Sequence, residues 1–438
     1  MNSSPSSITA GTPFRRRLPW TTGTFVRSIS AVSLLGGMLL GSGSLAGTGA
    51  RAASPVTLNF WNGFTGPDGP AVTALVKQFN ASHPDIQINM TIEPWDTLLQ
   101  KLPLSLRVGK GPDIAGLSNQ YIPQYAQAGL IQPIDSVYGS GGLDKSVIPS
   151  GVRQILQYNG HYYAAPMTVD PIMMYWNKTL FKKAGLSRAP TTWSEWQADA
   201  VKLSKHANGA DQYGLALADN NTIPNWPIFI WDNGGDIISA DGKKPMIDSP
   251  KSIAAVSQWA NLMIKNRISP PALSGADADK LFQTGKAAME MTGPWATSGF
   301  TQAKINYDVA MVPKGAGGPV TAGNADVLVL SKSSSNLAQA KVFMTWWNSK
   351  SAEEYLAIHS GHPPVRTDMR NDPKLSANPW VHKFAVGTPY ARFYLGNVKN
   401  YAQIDSDVIT PALQSVEFGK QSAKAALSAA ASKMAKLL

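Results

Sequence analysis

Cysteine is absent from all 438 residues. Its absence rules out disulfides, thiolate metal sites, a cysteine nucleophile and a lipid-anchored cysteine at a signal cleavage site. Charge is also scarce. Asp, Glu, Lys and Arg make up 15% of the chain, against about 25% in an ordinary soluble protein. An acidic external medium is one setting that suits so few charges. The formal balance of +11 overstates the basic character, because residues 1–52 hold five arginines and no acid; without them it falls to +6. No Lys/Arg stripe and no basic run interleaved with aromatics follows, so the chain lacks the electrostatic footprint of a nucleic-acid binder. Several motifs of chemistry are missing too. There is no G-x-S-x-G, no G-x-G-x-x-G and no phosphate loop, since "GKGPD" lacks the Lys-Ser/Thr ending. His359 and His362 stand three apart, but Pro363 follows and no third ligand is near, so they do not read as a metal pair. His83, His161, His206 and His382 are isolated.

What is present begins with an export pattern. "FRRR" supplies a positive region, "ISAVSLLGGMLLGSGSLAG" a short apolar one, and Ala50-Arg51-Ala52 a small-x-small cleavage site before Ala53. The apolar stretch is short and glycine-rich for a membrane span. A retained anchor and a twin-arginine route are the other readings of residues 1–52. No later segment is apolar enough to span. The mature chain is expected outside the cytoplasmic membrane, periplasmic or extracellular. At this length two domains are expected.

After the leader the pattern alternates. "VTLNFW" (56–61) and "DIQINMTIEPW" (85–95) read as strands, and "PDIAGLS" (112–118) as a shorter one. Between them, "AVTALVKQFNASHP" and "DTLLQKLPLSLRVGKG" read as amphipathic helices. Strand, helix, strand, helix, strand is most economically a parallel sheet with helices on its faces. Helical segments such as "TTWSEWQADAVKLSKHA" and "KSIAAVSQWANLMIKN" then alternate with strand-like runs such as "PIMMYWN", "AAMEMT", "YDVAMVP" and "DVLVLS". The expected class is α/β twice over. In open parallel sheets, ligands sit beyond the carboxyl ends of the strands. "NGFTGPDG", "EPWD", "LSNQ" and "TGPW" each follow a strand-like run and should open to one side.

Several stretches together resemble one family. They are "FWNGFTGPDG", "LVKQFNASHPDIQIN", "GKGPDI", "YWNKTLFKKAGLSRAPTTWSEW", "DNGGDIIS", "GKAAMEMTGPW" and "HPPVRTD", in order over most of the mature chain. The chain resembles the extracellular solute-binding proteins of ABC importers, in the large sugar-binding branch that includes maltose- and glycerol-phosphate-binding proteins. The resemblance implies a two-lobed periplasmic-binding-protein fold. Each lobe would be a mostly parallel sheet flanked by helices, with the ligand cleft between lobes. Lobe one would span 54–165 plus 314–362, and lobe two 166–313 plus 363–438. The crossings would fall near "AAPM", "VPKGA" and "SGHPPV". It also implies a sugar ligand, permease subunits of an inner-membrane importer as partners, and no cofactor. We expect a monomer.

A sugar offers hydroxyls at its edges and C–H faces above and below. Aromatic rings suit the faces; carboxylates, amides and arginine suit the edges. Thirteen tryptophans occur, one of them in the leader. Trp61, Trp95, Trp226, Trp231 and Trp295 fall at strand ends or in loops and are cleft candidates, with a core position as the other reading. Trp193, Trp196, Trp259, Trp346 and Trp347 fall on helical stretches and read as core. Among polar residues the candidates are Asn62, Asp68, Glu93, Asp96, Asn119, Asp170, Asn324, Asp326 and Arg366, with Tyr401 added. Asp68 also suits a turn, Asp96 a helix cap and Arg366 a structural ion pair. A dianionic phosphate ligand would ask for clustered Arg or Lys. The segment "FYLGNVKNYAQIDSD", which resembles the stretch carrying a ligand arginine in the phosphate-binding branch, places Asp405 there. That favours a neutral mono- or oligosaccharide over glycerol phosphate. A glycosidase, which needs a paired acid and base, is the alternative of a different class.

Overall fold

The computed structural model describes residues 54–438 apart from 208, 209, 221, 222 and 397. The expected leader lies outside the described residues. The main strands run β1 (Val56–Asn62), β2 (Ile86–Ile92), β3 (Ile114–Ser118), β4 (Ala164–Pro166), β5 (Asp170–Pro171), β6 (Met173–Asn177), β7 (Met289–Thr292), β8 (Tyr307–Ala310), β9 (Thr321–Asn324), β10 (Asp326–Leu330) and β11 (Ala391–Phe393). The helices that matter below are α1 (Gly69–Ser82), α2 (Trp95–Arg107), α3 (Trp226–Asp232), α4 (Thr297–Gln302) and α5 (Lys350–Ser360).

The first sheet has the order β2-β1-β3-β10-β4. β1 lies parallel to β2 and β3, while β10 runs antiparallel to both β3 and β4. Local sequence accounts for these strands. In β1, Leu58, Phe60 and Asn62 turn inward while Thr57 and Asn59 face out, which is the period of two of a half-covered strand. All five residues of β10 are buried, as a strand covered on both faces requires. In α1, Pro70 sits in the first turn, where its missing N–H costs nothing. Ala71, Val72, Leu75, Val76 and Phe79 form the helix's buried stripe.

The second lobe is built differently. β6 is central and antiparallel to both β7 and β8. Parallel bridges at Tyr213–Ala287 and Ala216–Glu290 extend that sheet past β7. Separately, β9 pairs antiparallel with β5 and parallel with β11. Strand periodicity in sequence identifies strands but carries no direction, so the mostly parallel sheet expected for this lobe gives way to a mixed one.

Each lobe has its own apolar core. The first draws on residues from Leu58 to Val169 and from Ala325 to Val365. The second draws on residues from Ile172 to Ala322 and from Tyr394 to Met434. Val312, Val320 and Ala322 pack in the second core, so the chain changes cores after Ala322 and not at residue 314. A smaller aromatic cluster around Tyr175, Phe282, Phe300 and Tyr307 backs β6 and β8. Among the described residues, no helix is long and apolar enough to cross a membrane.

Candidate functional site

Two tryptophans, one per lobe, are seated in the same way. Trp295 follows β7 in a short helical turn and is partly exposed. A Cβ on Gly293 would lie 2.0 Å from its ring. Trp95 opens α2 and is also partly exposed. A Cβ on Gly63, in the loop after β1, would again lie 2.0 Å from the ring. Each indole therefore lies flat over a glycine backbone that no other residue could provide. Trp95 also meets Phe64 edge-on at 5.7 Å. The Gly-Pro corner before Trp295 is further fixed by Tyr175, whose hydroxyl donates to Gly293 O at 2.7 Å.

The lobes touch close by. Pro67, in the loop before α1, lies within van der Waals reach of Gly299 in α4, where an added Cβ would be 3.2 Å from Pro67 Cγ. Thr297 Oγ1 in α4 donates to Ser360 O at the end of α5 at 3.3 Å. Tyr121, just past β3, meets Tyr401 edge-on at 5.4 Å.

The strand ends at this junction carry buried amides. Asn62, at the end of β1, is fully buried; its Oδ1 accepts from Phe64 N at 3.1 Å. Asn119, just after β3, is fully buried, and its Oδ1 accepts from Ala325 N at 3.1 Å. Asn324, at the end of β9, donates through Nδ2 to Asp326 Oδ1 at 3.0 Å. Asn62 Nδ2, Asn119 Nδ2, Gln120 Oε1 and Asn324 Oδ1 have no hydrogen-bond partner among the described residues. Buried polar groups are normally satisfied, and donors and acceptors at strand ends suit a ligand rich in hydroxyls.

Around the crossings lies a charged cluster. Asp68, Asp170, Asp326 and His362 are all buried. His362 Nδ1 is 2.5 Å from Asp170 Oδ1, and its Nε2 is 3.3 Å from Asp68 Oδ2. Burial alone would lower the imidazole pKa, but the Asp170 and Asp68 carboxylates outweigh it and push it up to about 10. Asp326 is pushed up to about 7 by burial, with the Asp170 charge adding to it. Ser118 Oγ donates to Asp326 at 3.2 Å.

The other candidates are placed elsewhere. Trp226 and Trp231 lie on α3 and pack in the second core, at 1% and 5% exposure. Trp226 meets Tyr394 edge-on at 5.0 Å. The Trp231 ring is covered by Arg392, and its Nε1 donates to Asp236 at 3.1 Å. Sequence made them look like loop residues because Pro224 and Pro227 flank Trp226; Pro227 in fact occupies the first turn of a buried helix. Trp61 is partly buried against the first core, with Lys101 Nζ 4.4 Å from its ring centre. The same lysine pairs with Glu93. Asp96 is exposed and accepts from Thr97 N at 2.8 Å, as a helix-start acid does. Arg366 is held by Asp368 at 2.9 Å and reaches Asn348 O at 3.3 Å, an ion-pair arrangement beside α5. Tyr401 is buried between Tyr121 and Tyr394. Tyr394 donates its hydroxyl to Asp405 Oδ1 at 2.9 Å, and burial pushes that acid up to about 6.

His362 is the residue that sequence reasoning passed over, having weighed it only as a metal partner of His359. Its signal was there in retrospect: a histidine in one expected crossing, an Asp-Pro in another. Among the described residues no group of acids and histidines could hold a metal.

Comparison with known proteins agrees with this architecture. The model of the family of bacterial extracellular solute-binding proteins matches residues 64–354. A putative binding protein of Brucella abortus is 27% identical over 404 residues, covering 91% of this chain and 96% of its own. The maltotriose-binding protein of Pyrococcus abyssi is 25% identical over 334 residues, covering 73% of this chain and 68% of its own. Among solved structures, a maltose-bound T. maritima protein is 25% identical with a TM-score of 0.78, covering 87% of this chain and all of its own. A glycerophosphocholine complex of UgpB from Mycobacterium tuberculosis has a TM-score of 0.77 at 20% identity, covering 87% and 98%. At that identity the likeness shows the fold. The two-lobed structure and the family match over residues 64–354 together place the chain: it belongs to the bacterial extracellular solute-binding proteins.

Proposed function

We propose that this chain is the receptor of an ABC sugar importer. It binds a neutral mono- or oligosaccharide between the lobes and delivers it to permease subunits in the membrane. One observation carries the reading: each lobe presents a partly exposed tryptophan laid over a glycine, Trp95 on Gly63 and Trp295 on Gly293. Rings held in this way suit the C–H faces of a sugar, and the buried amides of Asn62, Asn119 and Asn324 suit its hydroxyls. The kinship to maltotriose- and maltose-binding relatives supports the same class. Asp68, Asp170, Asp326, Glu93 and Tyr401 are further ligand or closure residues in this reading, while Trp226, Trp231, Asp96 and Arg366 serve the scaffold. Lobe one would comprise residues up to the 166–170 crossing plus 325–365, and lobe two the remainder. The protein works outside the cytoplasmic membrane after removal of residues 1–52, and it carries out no turnover.

A receptor for glycerol phosphate esters is the competing reading, favoured by the structural likeness to UgpB. Against it, the segment around Tyr401 contributes Asp405, and burial raises that acid and the nearby Asp219 to about 6. Acids there oppose a phosphate. A thermal-shift screen separates the two, with maltose, maltotriose, tagatose and glycerophosphocholine. Ligand at 100 times its Kd adds about 2.7 kcal/mol of stability. A rise with one neutral sugar class supports the proposal. A rise with glycerophosphocholine alone overturns the sugar assignment and keeps the family.

A further inference from the structure

The chain segments that pass between the lobes converge on one side chain. His362 stands two residues past the end of α5 and is 2% exposed. One ring nitrogen faces Asp170, which begins β5 on the far side of the first crossing. The other faces Asp68, at the N-terminus of α1 in lobe one. Asp170 Oδ2 also accepts from Thr168 Oγ1 at 2.7 Å. Across the β5–β9 ladder Asp170 stands opposite Asn324, whose amide donates to Asp326 in the second crossing. Backbone bonds finish the knot: Met167 N and Thr168 N both donate to Asp326 O, at 2.7 and 3.1 Å.

An imidazole that meets a carboxylate at each nitrogen has to donate from both, so the ring is the cation. No Lys or Arg pairs with Asp68, Asp170 or Asp326 among the described residues. His362 is therefore the positive charge that faces these three buried acids. Removing one partner of a buried charge pair leaves the others uncompensated, which costs more than losing a hydrogen bond. The acids would then repel one another at the point where the lobes join.

We propose that His362 is a positioning residue of the hinge: by tying the Asp68 loop of lobe one to the first crossing, it sets the angle between the lobes and so the affinity for solute. This rests on the reading above that solute binds between the lobes. His362 itself need touch no ligand. Its charge persists through neutral pH, so this hinge is a fixed ionic link and not the usual histidine switch near pH 6.5.

The cysteine-free chain makes the test direct. Leu104→Cys on α2 and Ile264→Cys on the helix Pro250–Asn266, both at exposed positions in different lobes, take a spin-label pair in the full chain. Interlabel distances are measured without ligand in the parent and in His362→Gln. The expected result is a displaced or broadened distribution in His362→Gln, with maltotriose affinity weakened about tenfold through a faster koff. An unchanged distribution, with only the melting temperature lowered, overturns the proposal and leaves His362 as a stabiliser. The distance readout needs no sugar. If neither protein binds maltotriose, that sugar is excluded as the solute, the sugar assignment rests on the thermal-shift screen above, and the distance distributions still decide the hinge inference. Should His362→Gln not fold, ring-nitrogen NMR on the unsubstituted protein tests the ionic link on which the proposal depends. One of the six histidines should remain doubly protonated at pH 8; all six neutral by then would refute the ionic link.

Discussion

Replacing Glu353 by glutamine is expected to flatten part of the pH dependence of stability. Glu353 lies on α5 at 4% exposure, with Oε2 accepting from Arg366 N at 3.0 Å and Oε1 unpartnered. Burial pushes its carboxyl up to about 8, against the bond from Arg366 N and the Arg366 charge, which lower it. The sign follows from proton counting. Between the ordinary 4.5 and about 8 the folded chain holds a proton that the unfolded chain has lost. Stability from this group is complete below pH 4.5 and drains away as pH rises through 8. The slope is about 1.4 kcal/mol per pH unit, on the order of 5 kcal/mol across the window. Glutamine has no proton to lose. Its amide changes the bond pattern at Oε1, but that offset is independent of pH. Urea denaturation at pH 5, 6, 7, 8 and 9, followed by both far-UV circular dichroism and tryptophan fluorescence, measures the difference. Coincident transitions are needed for a single free energy in a two-lobed chain. The variant should gain on the parent steadily from pH 5 to 8 and then run level with it. Parallel profiles would show that Glu353 titrates normally and that the burial argument fails.

Three further outcomes are expected. Trp295→Ala should weaken sugar binding about tenfold, the size of a lost aromatic contact of about 1.5 kcal/mol, with little change in melting temperature; isothermal titration calorimetry checks it. Gly293→Ala puts a methyl 2.0 Å from the Trp295 ring, so the ring must shift; calorimetry should show affinity falling as for Trp295→Ala, together with about 1–3 kcal/mol of overpacking cost in urea. Phe79→Ala removes a fully buried ring that meets Phe343 and Trp346 edge-on. It should cost about 3–5 kcal/mol of stability and leave sugar affinity unchanged.

Much of the first lobe is legible in sequence, and the reason is local. β1 alternates apolar and polar residues, α1 repeats its apolar face over three turns, and β10 is an apolar run after its first residue, Asp326; each pattern follows from burial of that element alone. The point where the chain changes cores is less visible. Val312-Pro313-Lys314-Gly315-Ala316 has the composition of a linker, yet Val312 packs in the second core. The real change comes inside "TAGNADVLVL", where β9 passes into β10 across the single residue Ala325. Nothing in composition separates those two strands; only their different pairing partners do. The corner that carries Trp295 was legible because Gly-Pro announces it. His362 was not, because its partners Asp170 and Asp68 stand 192 and 294 positions away in the chain.

The division of the cores explains why so polar a junction is tolerable. Close-packed interiors resist small displacements and change by discrete repacking. Here the first core stops at Val169 and the second starts at Ile172; the second pauses after Ala322 and the first resumes at Ala325. Between those limits stand Asp170, Pro171, Gly323 and Asn324, which add little to either core. At these two crossings a rotation of one lobe against the other would therefore fall on side-chain hydrogen bonds and the His362 link, leaving both interiors intact. Hydrogen bonds contribute about 1 kcal/mol each in net terms, and a solute that bridges the lobes can offset a few of them. An apolar hinge would instead expose surface at about 25 cal/mol per Å² on opening, and the lobes would stay shut whether or not ligand was present.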